Sequence, residues 1–251
     1  MAASERDMQG RVAVVTGGAS GLGRATCLDL AGAGAHVIVA DIDEPGAQKT
    51  AAQVVEQGGQ ATAVALDITD PGQVDAVLEA AFAEHGGALD CLVNNAGTDR
   101  GSDIPDVTDE QWHSVFAVNV HGPMYTSRAF VRGVLASDPQ RSTPADIVCV
   151  ASISALTVGS GAGAYNSSKA AVLKLTEVLQ SESRERSWPV RVCAVNPAAM
   201  NTPMMDQWQL PQEKMMDPAH VARLIRTAVT LAPEIMLQSF VVTTRVENFP
   251  R

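Results

Sequence analysis

The feature that most restricts the fold of this chain is an apolar run that leads directly into a glycine-rich turn. Residues 12–15 are Val-Ala-Val-Val, and residues 16–23 read Thr-Gly-Gly-Ala-Ser-Gly-Leu-Gly. A short apolar run is typical of a parallel strand that is covered on both faces, and helical spacing follows over residues 24–33. The unit predicts a phosphate-binding turn, because glycines let the main chain approach a pyrophosphate and the helix N-terminus offers unpaired N–H groups.

The rest of the 251-residue chain repeats this alternation of strand and helix. Further strands are predicted over residues 36–40, 61–66, 89–93, 146–151, 191–195 and 235–243, and further helices over residues 47–57, 73–85, 112–135, 165–179 and 218–231. Strict alternation predicts an α/β fold with a Rossmann-type, doubly wound parallel sheet of about seven strands, flanked by helices on both faces. The length fits a single domain over residues 1–251.

Polar residues follow several of these strands, at the edge of the sheet where ligands bind in such folds. Asp41 ends the second strand about twenty residues after the glycines, Asp67 follows the third strand and Asn94 the fourth. Dinucleotide-binding folds place at the position of Asp41 the acid that bonds the adenosine ribose hydroxyls. A carboxylate there repels a 2′-phosphate, so the sequence predicts NAD rather than NADP. The alternative interpretation is that Asp41 only starts the turn over residues 41–46.

The composition argues against several classes of function. The net charge of −10 disfavours a nucleic-acid partner, which requires clustered Lys and Arg. No apolar run is long enough to cross a bilayer, and residues 1–7 are polar where a signal peptide becomes hydrophobic, so we expect a cytoplasmic protein without a membrane partner. The four cysteines are widely spaced and no histidines group at metal-ligand spacing, so we expect core cysteines and no metal site.

Tyr165 and Lys169 lie four residues apart at the start of a predicted helix, so their side chains should share one face. We expect the ammonium of Lys169 to lower the pKa of the phenol, which would make Tyr165 an acid or base near neutral pH. The same spacing also occurs on solvated helix faces. The polar residues elsewhere in the chain therefore decide how this pair is interpreted.

Three other segments bear on the site. The predicted helix over residues 112–135 contains Gly122-Pro123, which should kink it and leave main-chain carbonyls near Asn119 free for a water molecule. Residues 136–144 are polar and proline-punctuated, as in an exposed loop. Residues 201–217 combine methionines, a tryptophan and prolines, which indicates either a mobile apolar lid or flexible core packing.

Together these residues resemble those of a classical short-chain dehydrogenase/reductase, from Gly10 to about Thr243. The matching pieces are the glycine turn at 16–23, Asp41, Asp67-Ile68, Asn-Asn-Ala-Gly at 94–97, Asn119, Ser152, Tyr165 with Lys169, and Asn196-Pro197. The distance from serine to tyrosine that is usual in this family selects Ser152 over Ser154 as the catalytic hydroxyl.

The resemblance implies an NAD(H)-dependent oxidoreductase that interconverts a secondary alcohol and a ketone by hydride transfer. Tyr165 would act as the general acid or base, and Ser152 would hold the same substrate oxygen. Lys169 would also bond the nicotinamide ribose. Asn119 would hold a water molecule that connects Lys169 to solvent, and Thr202 would bond the nicotinamide carboxamide.

The expected cofactor contacts lie mainly in the glycine turn and at the strand ends. They are Gly17, Ser20, Gly21, Leu22, Gly23, Asp41, Ile42, Asp67, Ile68, Asn95, Ala96, Gly97, Tyr165, Lys169, Pro197 and Thr202. The expected substrate contacts are Ser152, Ser154, Tyr165, Ala198, Met204 and Trp208, with Gly159 and Met205 as further candidates. Asp99 and Arg100 would either add polar specificity or face water.

Two places depart from the family pattern. Ala198 replaces the usual glycine after Asn196-Pro197, so the turn must avoid a positive φ or accept strain. Residues 244–251 form a divergent tail that would either pack at a subunit interface or fray. Family members commonly assemble as homodimers or homotetramers, and we expect one of these states.

Two other functions are compatible with the resemblance. A catalytically silent NAD(H)-binding sensor would be free to lose the catalytic set, yet Asn119, Ser152, Tyr165 and Lys169 are all present. An epimerase or dehydratase of the same family usually has a longer chain with a larger substrate domain, and nothing after Lys169 provides one. Hydride transfer with an exchangeable cofactor is therefore favoured.

Overall fold

Within residues 7–208 and 210–245, which the computed structural model describes, seven parallel strands form one sheet. The strands are β1 (Val12–Thr16), β2 (His36–Asp41), β3 (Gln60–Ala65), β4 (Leu89–Asn94), β5 (Ala145–Val150), β6 (Val190–Pro197) and β7 (Ser239–Val242). Their order in the sheet is β3-β2-β1-β4-β5-β6-β7, and every neighbouring pair is parallel. The predicted Rossmann-type sheet of about seven strands is confirmed.

Helices cover both faces of the sheet, because alternate residues of each strand point to opposite sides. The helices are α1 (Gly21–Gly32), α2 (Glu44–Glu56), α3 (Pro71–His85), α4 (Asp109–Phe116), α5 (Gly122–Ser137), α6 (Gly163–Glu185) and α7 (Pro218–Val229). One apolar core joins α1, α2 and α7 to strand residues such as Val15. The other joins α3, α5 and α6 to strand residues such as Val14. All four cysteines are buried, as predicted.

The helix predicted over residues 112–135 is interrupted rather than continuous. Helix α4 ends at Phe116, a π-helical turn covers Ala117–His121, and α5 begins at Gly122. Pro123 therefore falls in the first turn of α5, where its missing N–H group costs little. The wide turn places Asn119, which is fully buried, next to the carboxyl edge of the sheet.

The last strand is shorter than predicted, because Arg191 holds the chain before it in an irregular path. Its guanidinium donates hydrogen bonds to the carbonyl oxygens of Leu231, Ala232 and Ile235 at 2.9–3.0 Å. The same guanidinium is paired with the buried carboxylate of Asp146 at 2.8 Å. The carbonyl groups of Leu231, Ala232 and Ile235 are thus satisfied by a side chain, and the strand begins only at Ser239.

The remaining boundaries agree with the sequence to within three residues, except that α6 continues to Glu185, six residues beyond its predicted end. Helix α5 extends to Ser137, so the exposed loop is shorter than the predicted 136–144. Of the predicted tail over 244–251, residues 246–251 lie outside the described part of the chain. In the described ranges, no helix combines the length and the apolar character that crossing a bilayer requires.

Candidate active site

A cleft of about 360 Å³ opens at the carboxyl edge of the sheet. The predicted cofactor residues that line it are Gly17, Ser20, Gly21, Leu22, Asp41, Ile42, Asp67, Ile68, Asn95, Ala96, Gly97, Lys169 and Thr202, joined by the predicted substrate residue Met204. Its volume is in the range of small-molecule sites. The fold thus brings together residues from the glycine turn, the strand ends and the loop after β6.

The glycine turn packs so closely that side chains are excluded from it. Gly17 has a φ of +68°, in the region that glycine adopts most readily. A side chain at Gly23 would come within 1.9 Å of the Gly17 carbonyl oxygen, so Gly23 lets α1 begin directly against the turn. Gly23 serves the cleft by this packing and does not line it. The N-terminus of α1 consequently faces the cleft with its unpaired N–H groups.

Asp41 closes the end of the cleft beside β2. Its carboxylate accepts hydrogen bonds from the main-chain N–H groups of Ala19 and Asp43, both at 2.9 Å. The adjacent Ile42 is 73% exposed. Among the residues that line the cleft, the one cationic side chain is Lys169, which lies on α6.

The loop after β4 joins the glycine turn to the catalytic residues. The main-chain N–H groups of Asn95 and Ala96 both donate to Thr16 Oγ1 at 3.1 Å, and the Asn95 amide donates to the Thr16 carbonyl at 2.9 Å. Gly97 follows, where the space for a side chain is limited by Lys169 and Asn119. A side chain at Gly97 would lie 3.2 Å from Lys169 Nζ and 3.3 Å from Asn119 Oδ1.

Lys169 is only 4% exposed. Its amine donates a hydrogen bond to the Val150 carbonyl oxygen at 2.9 Å, at the end of β5. Among the described residues, no carboxylate forms a salt bridge with it. Burial disfavours the charged amine and lowers the pKa of Lys169 to about 8.

Tyr165 lies one turn before Lys169 on α6, and the amine is 5.6 Å from the centre of its ring. Burial raises the pKa of the Tyr165 phenol to about 12, a hydrogen bond with Ser152 opposes the rise, and the charge of Asp99 adds to it. The prediction that Lys169 lowers this pKa is therefore wrong for the protein without ligands. The loss of solvation is the largest cause of the rise, and the amine of Lys169, which donates to the Val150 carbonyl, is not among the groups that shift this pKa.

The two serines after β5 have different surroundings. Ser152 is buried, and its Oγ accepts a hydrogen bond from the Ser154 main-chain N–H at 3.1 Å, which fixes its side chain. Ser154 lines a second hollow of about 720 Å³ together with Gly159. Of the two serines, Ser152 is the one whose hydrogen bond counteracts the rise in the pKa of Tyr165, and its selection as the catalytic hydroxyl stays a prediction.

The amide of Asn119 connects the loop after β4 to α6. Its Oδ1 accepts from the Thr98 N–H at 2.8 Å, and its Nδ2 donates to the Thr98 carbonyl at 2.8 Å and to Ser168 Oγ at 2.9 Å. Both amide protons are consequently used within the protein. This side chain holds the wall of the cleft in place beside Lys169.

The predicted substrate residues do not all meet in one pocket. Ser154 and Gly159 line the second hollow and Met204 lines the cleft, whereas the predicted residues Ser152, Tyr165 and Trp208 line neither. Ala198 is buried, and its N–H donates to the Val242 carbonyl at 2.8 Å. Ala198 avoids a positive φ, since the one non-glycine residue with positive φ in the described ranges is Ser187. Pro197 ends β6 within the sheet and does not line the cleft.

The structure also adds residues that the sequence did not single out. The cleft is lined in addition by Leu66, Thr98, Val118, Val150, Met200 and Pro203. Most of these are neighbours of predicted residues, so the only available signal was proximity along the chain.

Asp99 is buried and bonded to Trp208, whereas Arg100 is exposed. In residues 7–208 and 210–245, no three His, Cys, Asp or Glu side chains are grouped as metal ligands.

Comparisons with known proteins agree with this arrangement. The family model described as short chain dehydrogenase matches residues 11–213. A 1-deoxy-11-beta-hydroxypentalenate dehydrogenase of Streptomyces arenae is 37% identical over 81% of this chain and 72% of its own length. A crystal structure of 3-ketoacyl-(acyl-carrier-protein) reductase from Brucella melitensis, complexed with NADH, matches with a TM-score of 0.83 at 29% identity, over 94% of this chain and 97% of that one.

A metagenomic short-chain oxidoreductase in complex with NADP matches with a TM-score of 0.81 at 25% identity, over 96% of this chain and 100% of that one. The extent of the family match and the placement of the glycine turn, Tyr165 and Lys169 at one edge of the sheet lead to the same conclusion. This chain belongs to the short-chain dehydrogenase family of oxidoreductases.

Proposed function

We propose that this oxidoreductase interconverts a secondary alcohol and a ketone with NAD(H), and that Tyr165 is its general acid and base. The observation that carries the proposal is the cluster of Ser152, Tyr165 and Lys169 where β5 and α6 meet the cleft. The glycine turn at the other end of the same cleft fits a dinucleotide, because it excludes side chains and presents the N-terminus of α1.

A bound nicotinamide supplies or accepts the hydride. In the reductive direction Tyr165, which its pKa of about 12 keeps protonated at neutral pH, gives its proton to the carbonyl oxygen. The hydroxyl of Ser152 donates to the same oxygen and stabilises the negative charge that develops there. In the oxidative direction Tyr165 accepts the proton of the alcohol.

Lys169 and Asn119 support this proton transfer. The pKa of about 8 lets Lys169 release or take up a proton near physiological pH, so it serves as a proton relay behind Tyr165. The side-chain amide of Asn119 is committed to Thr98 and Ser168, so a bridging water molecule would be bound by main-chain groups of the π-helical turn. Asn119 then acts by holding that turn in position.

The preference for NAD over NADP rests on Asp41. Its carboxylate is fixed by two main-chain N–H groups at the end of the cleft where the adenosine ribose is expected, and no cleft-lining Lys or Arg is near enough to bind a 2′-phosphate. The two matched structures were solved with NADH and with NADP, so the preference follows from this side chain and not from the family. The homodimeric or homotetrameric state stays a prediction.

The experiment is a screen of ketones and secondary alcohols with NAD(H) and NADP(H), followed at the absorbance of the reduced nicotinamide. We expect turnover with NAD(H). Tyr165→Phe should abolish it while NADH binding changes little. The chain has two tyrosines, so Tyr125→Phe, on α5, is the matched control and should retain activity. Undiminished turnover by Tyr165→Phe would sink the mechanism.

A further inference from the structure

Asp99 and Trp208 are 109 residues apart in the sequence and form a direct hydrogen bond in the structure. The indole Nε1–H donates to Asp99 Oδ2 at 2.9 Å. Asp99 is 9% exposed and lies in the loop after β4. Trp208 ends the 3₁₀ helix Pro203–Trp208, and Pro203 and Met204 of that helix line the cleft.

Residues 201–208 and 210–216, the described part of the segment after β6, are fixed at the base and at the tip. At the base, the N–H of Asn201 donates to the Met216 carbonyl and the N–H of Met216 donates to the Ala199 carbonyl, both at 2.9 Å. At the tip, the described residues form two hydrogen bonds to the rest of the protein. These are the Trp208–Asp99 bond and a bond of 3.4 Å from the Gly101 N–H to Gln207 Oε1.

The loop after β4 is shaped to receive the indole ring. A side chain at Gly101 would lie 3.0 Å from the Cη2 atom of Trp208, so the ring packs against bare main chain. Gly161 flanks the same ring, and its carbonyl oxygen accepts a hydrogen bond from the Ser102 N–H at 2.7 Å. The tip thus rests on a surface that two glycines keep open.

Packing alone gives no reason for a carboxylate at position 99. Burial raises the pKa of Asp99, and among the described residues its Oδ1 is buried without a hydrogen-bond partner. A buried acceptor without a partner lowers stability. The charge of Asp99 also raises the pKa of Tyr165 and the pKa of Lys169.

We propose that Asp99 is a positioning residue that holds Pro203–Trp208 over the substrate end of the cleft by accepting the hydrogen bond of Trp208. The assignment rests on the proposed oxidoreductase function, because it identifies the covered region as the place where the ketone or alcohol binds. Asp99 itself does not exchange the proton of the substrate. It fixes the wall against which the substrate is oriented.

The first test measures the hydrogen bond without using activity. In ¹⁵N-labelled protein without cofactor, the indole proton of Trp208, assigned by its loss in Trp208→Phe, is followed by hydrogen exchange with solvent. Asp99→Ala should speed this exchange about tenfold or more, because a hydrogen bond to a charged acceptor is lost. The indole protons of Trp112 and Trp188 should exchange as before.

Three variants make this test decisive. Asp99→Asn keeps an acceptor oxygen and should restore most of the protection. Asp103→Ala removes an exposed carboxylate four residues away and should change nothing. Gly101→Ala places a methyl group against the indole and should also speed exchange, which keeps the proposal testable if Asp99→Ala fails to fold. Trp208 indole exchange in Asp99→Ala, or in Gly101→Ala if Asp99→Ala does not fold, that equals exchange in the parent would overturn the proposal.

The second test measures the position of the substrate. With the best ketone from the screen, Asp99→Ala should raise the KM for the ketone about tenfold, while the KM for NADH stays within about twofold and Asp99→Asn recovers the parental value. Accelerated exchange with an unchanged KM for the ketone would refute the positioning role. If the parent turns over no alcohol or ketone, the proposed function fails, whereas the exchange result still decides whether Asp99 holds the segment.

Discussion

Lys169→Met separates the contribution of the amine to catalysis from its contribution to stability. Lys169 is 4% exposed, and burial lowers its pKa from 10.5 to about 8. One pKa unit corresponds to about 1.4 kcal/mol. The charged amine thus reduces the free energy of unfolding by about 3 kcal/mol at neutral pH, relative to a lysine whose solvation is unchanged.

The size of this destabilisation depends on pH. Between pH 8 and 10.5 the unfolded chain keeps the Lys169 proton while the folded protein has released it, so the stability of the parent rises with pH across this window. Methionine has a similar length and no charge, but it leaves the Val150 carbonyl without its donor, which costs about 1–2 kcal/mol. We expect the variant to be about 1–2 kcal/mol more stable at pH 7, with a smaller difference at pH 10.

Urea unfolding of the cofactor-free protein, followed by circular dichroism at pH 7 and pH 10, measures this difference. Groups such as Tyr165 titrate in both proteins, so their contributions largely cancel. Lys174→Met, an exposed position on the same helix, is the matched control and should show no such pH dependence. A Lys169→Met variant that is less stable than the parent at pH 7, or a gain that does not shrink with pH, would refute the reasoning. Turnover should be lost in either case.

Three further predictions concern the cofactor, the loop after β4 and the proton. Asp41→Ser should raise about tenfold the kcat/KM for NADPH divided by the kcat/KM for NADH, because a negative charge facing the 2′-phosphate is removed. A parent protein that already prefers NADPH would contradict the role of Asp41. Gly97→Ala should lower turnover and reduce the free energy of unfolding by about 1–3 kcal/mol, because the added methyl group lies 3.2 Å from Lys169 Nζ. Gly87→Ala is the control: its methyl group meets no atom within 4 Å, so turnover and stability should not change. Because Tyr165 must be deprotonated to accept a proton, kcat/KM for alcohol oxidation should rise about tenfold per pH unit from pH 6 to 8, and a flat profile there would argue against Tyr165 as the base.

Local features of the sequence account for the fold and for the end of the cleft at the glycine turn. Strands buried on both faces are continuous apolar runs, so they can be recognised without knowledge of their neighbours. The glycine turn and Asp41 are set by their positions relative to those strands, and both line the cleft as predicted. The π-helical turn before Pro123 could be anticipated only as a kink, because its hydrogen-bond pattern depends on how the two helices pack.

The substrate end of the cleft depends on contacts between distant parts of the chain. Trp208 and Met204 carry no periodic pattern, and nothing in the sequence pairs Trp208 with Asp99. Ser154 and Gly159 were expected in the same pocket as Met204, yet the chain after Ser152 turns outward and places them in a second hollow. The separation of these residues is a property of the loop conformations, which spacing along the chain does not determine.

Burial also explains why the spacing of Tyr165 and Lys169 predicts the wrong direction for the pKa of Tyr165. Four-residue spacing correctly places both side chains on one face of α6, and a cation in water beside a phenol lowers the pKa of the phenol. In the folded protein the loss of solvation acts on both groups, and it favours the neutral form of each. The phenol therefore keeps its proton and the amine tends to release one. Without ligands at neutral pH, the pair is consequently prepared to donate a proton to a carbonyl, which is the state that ketone reduction requires.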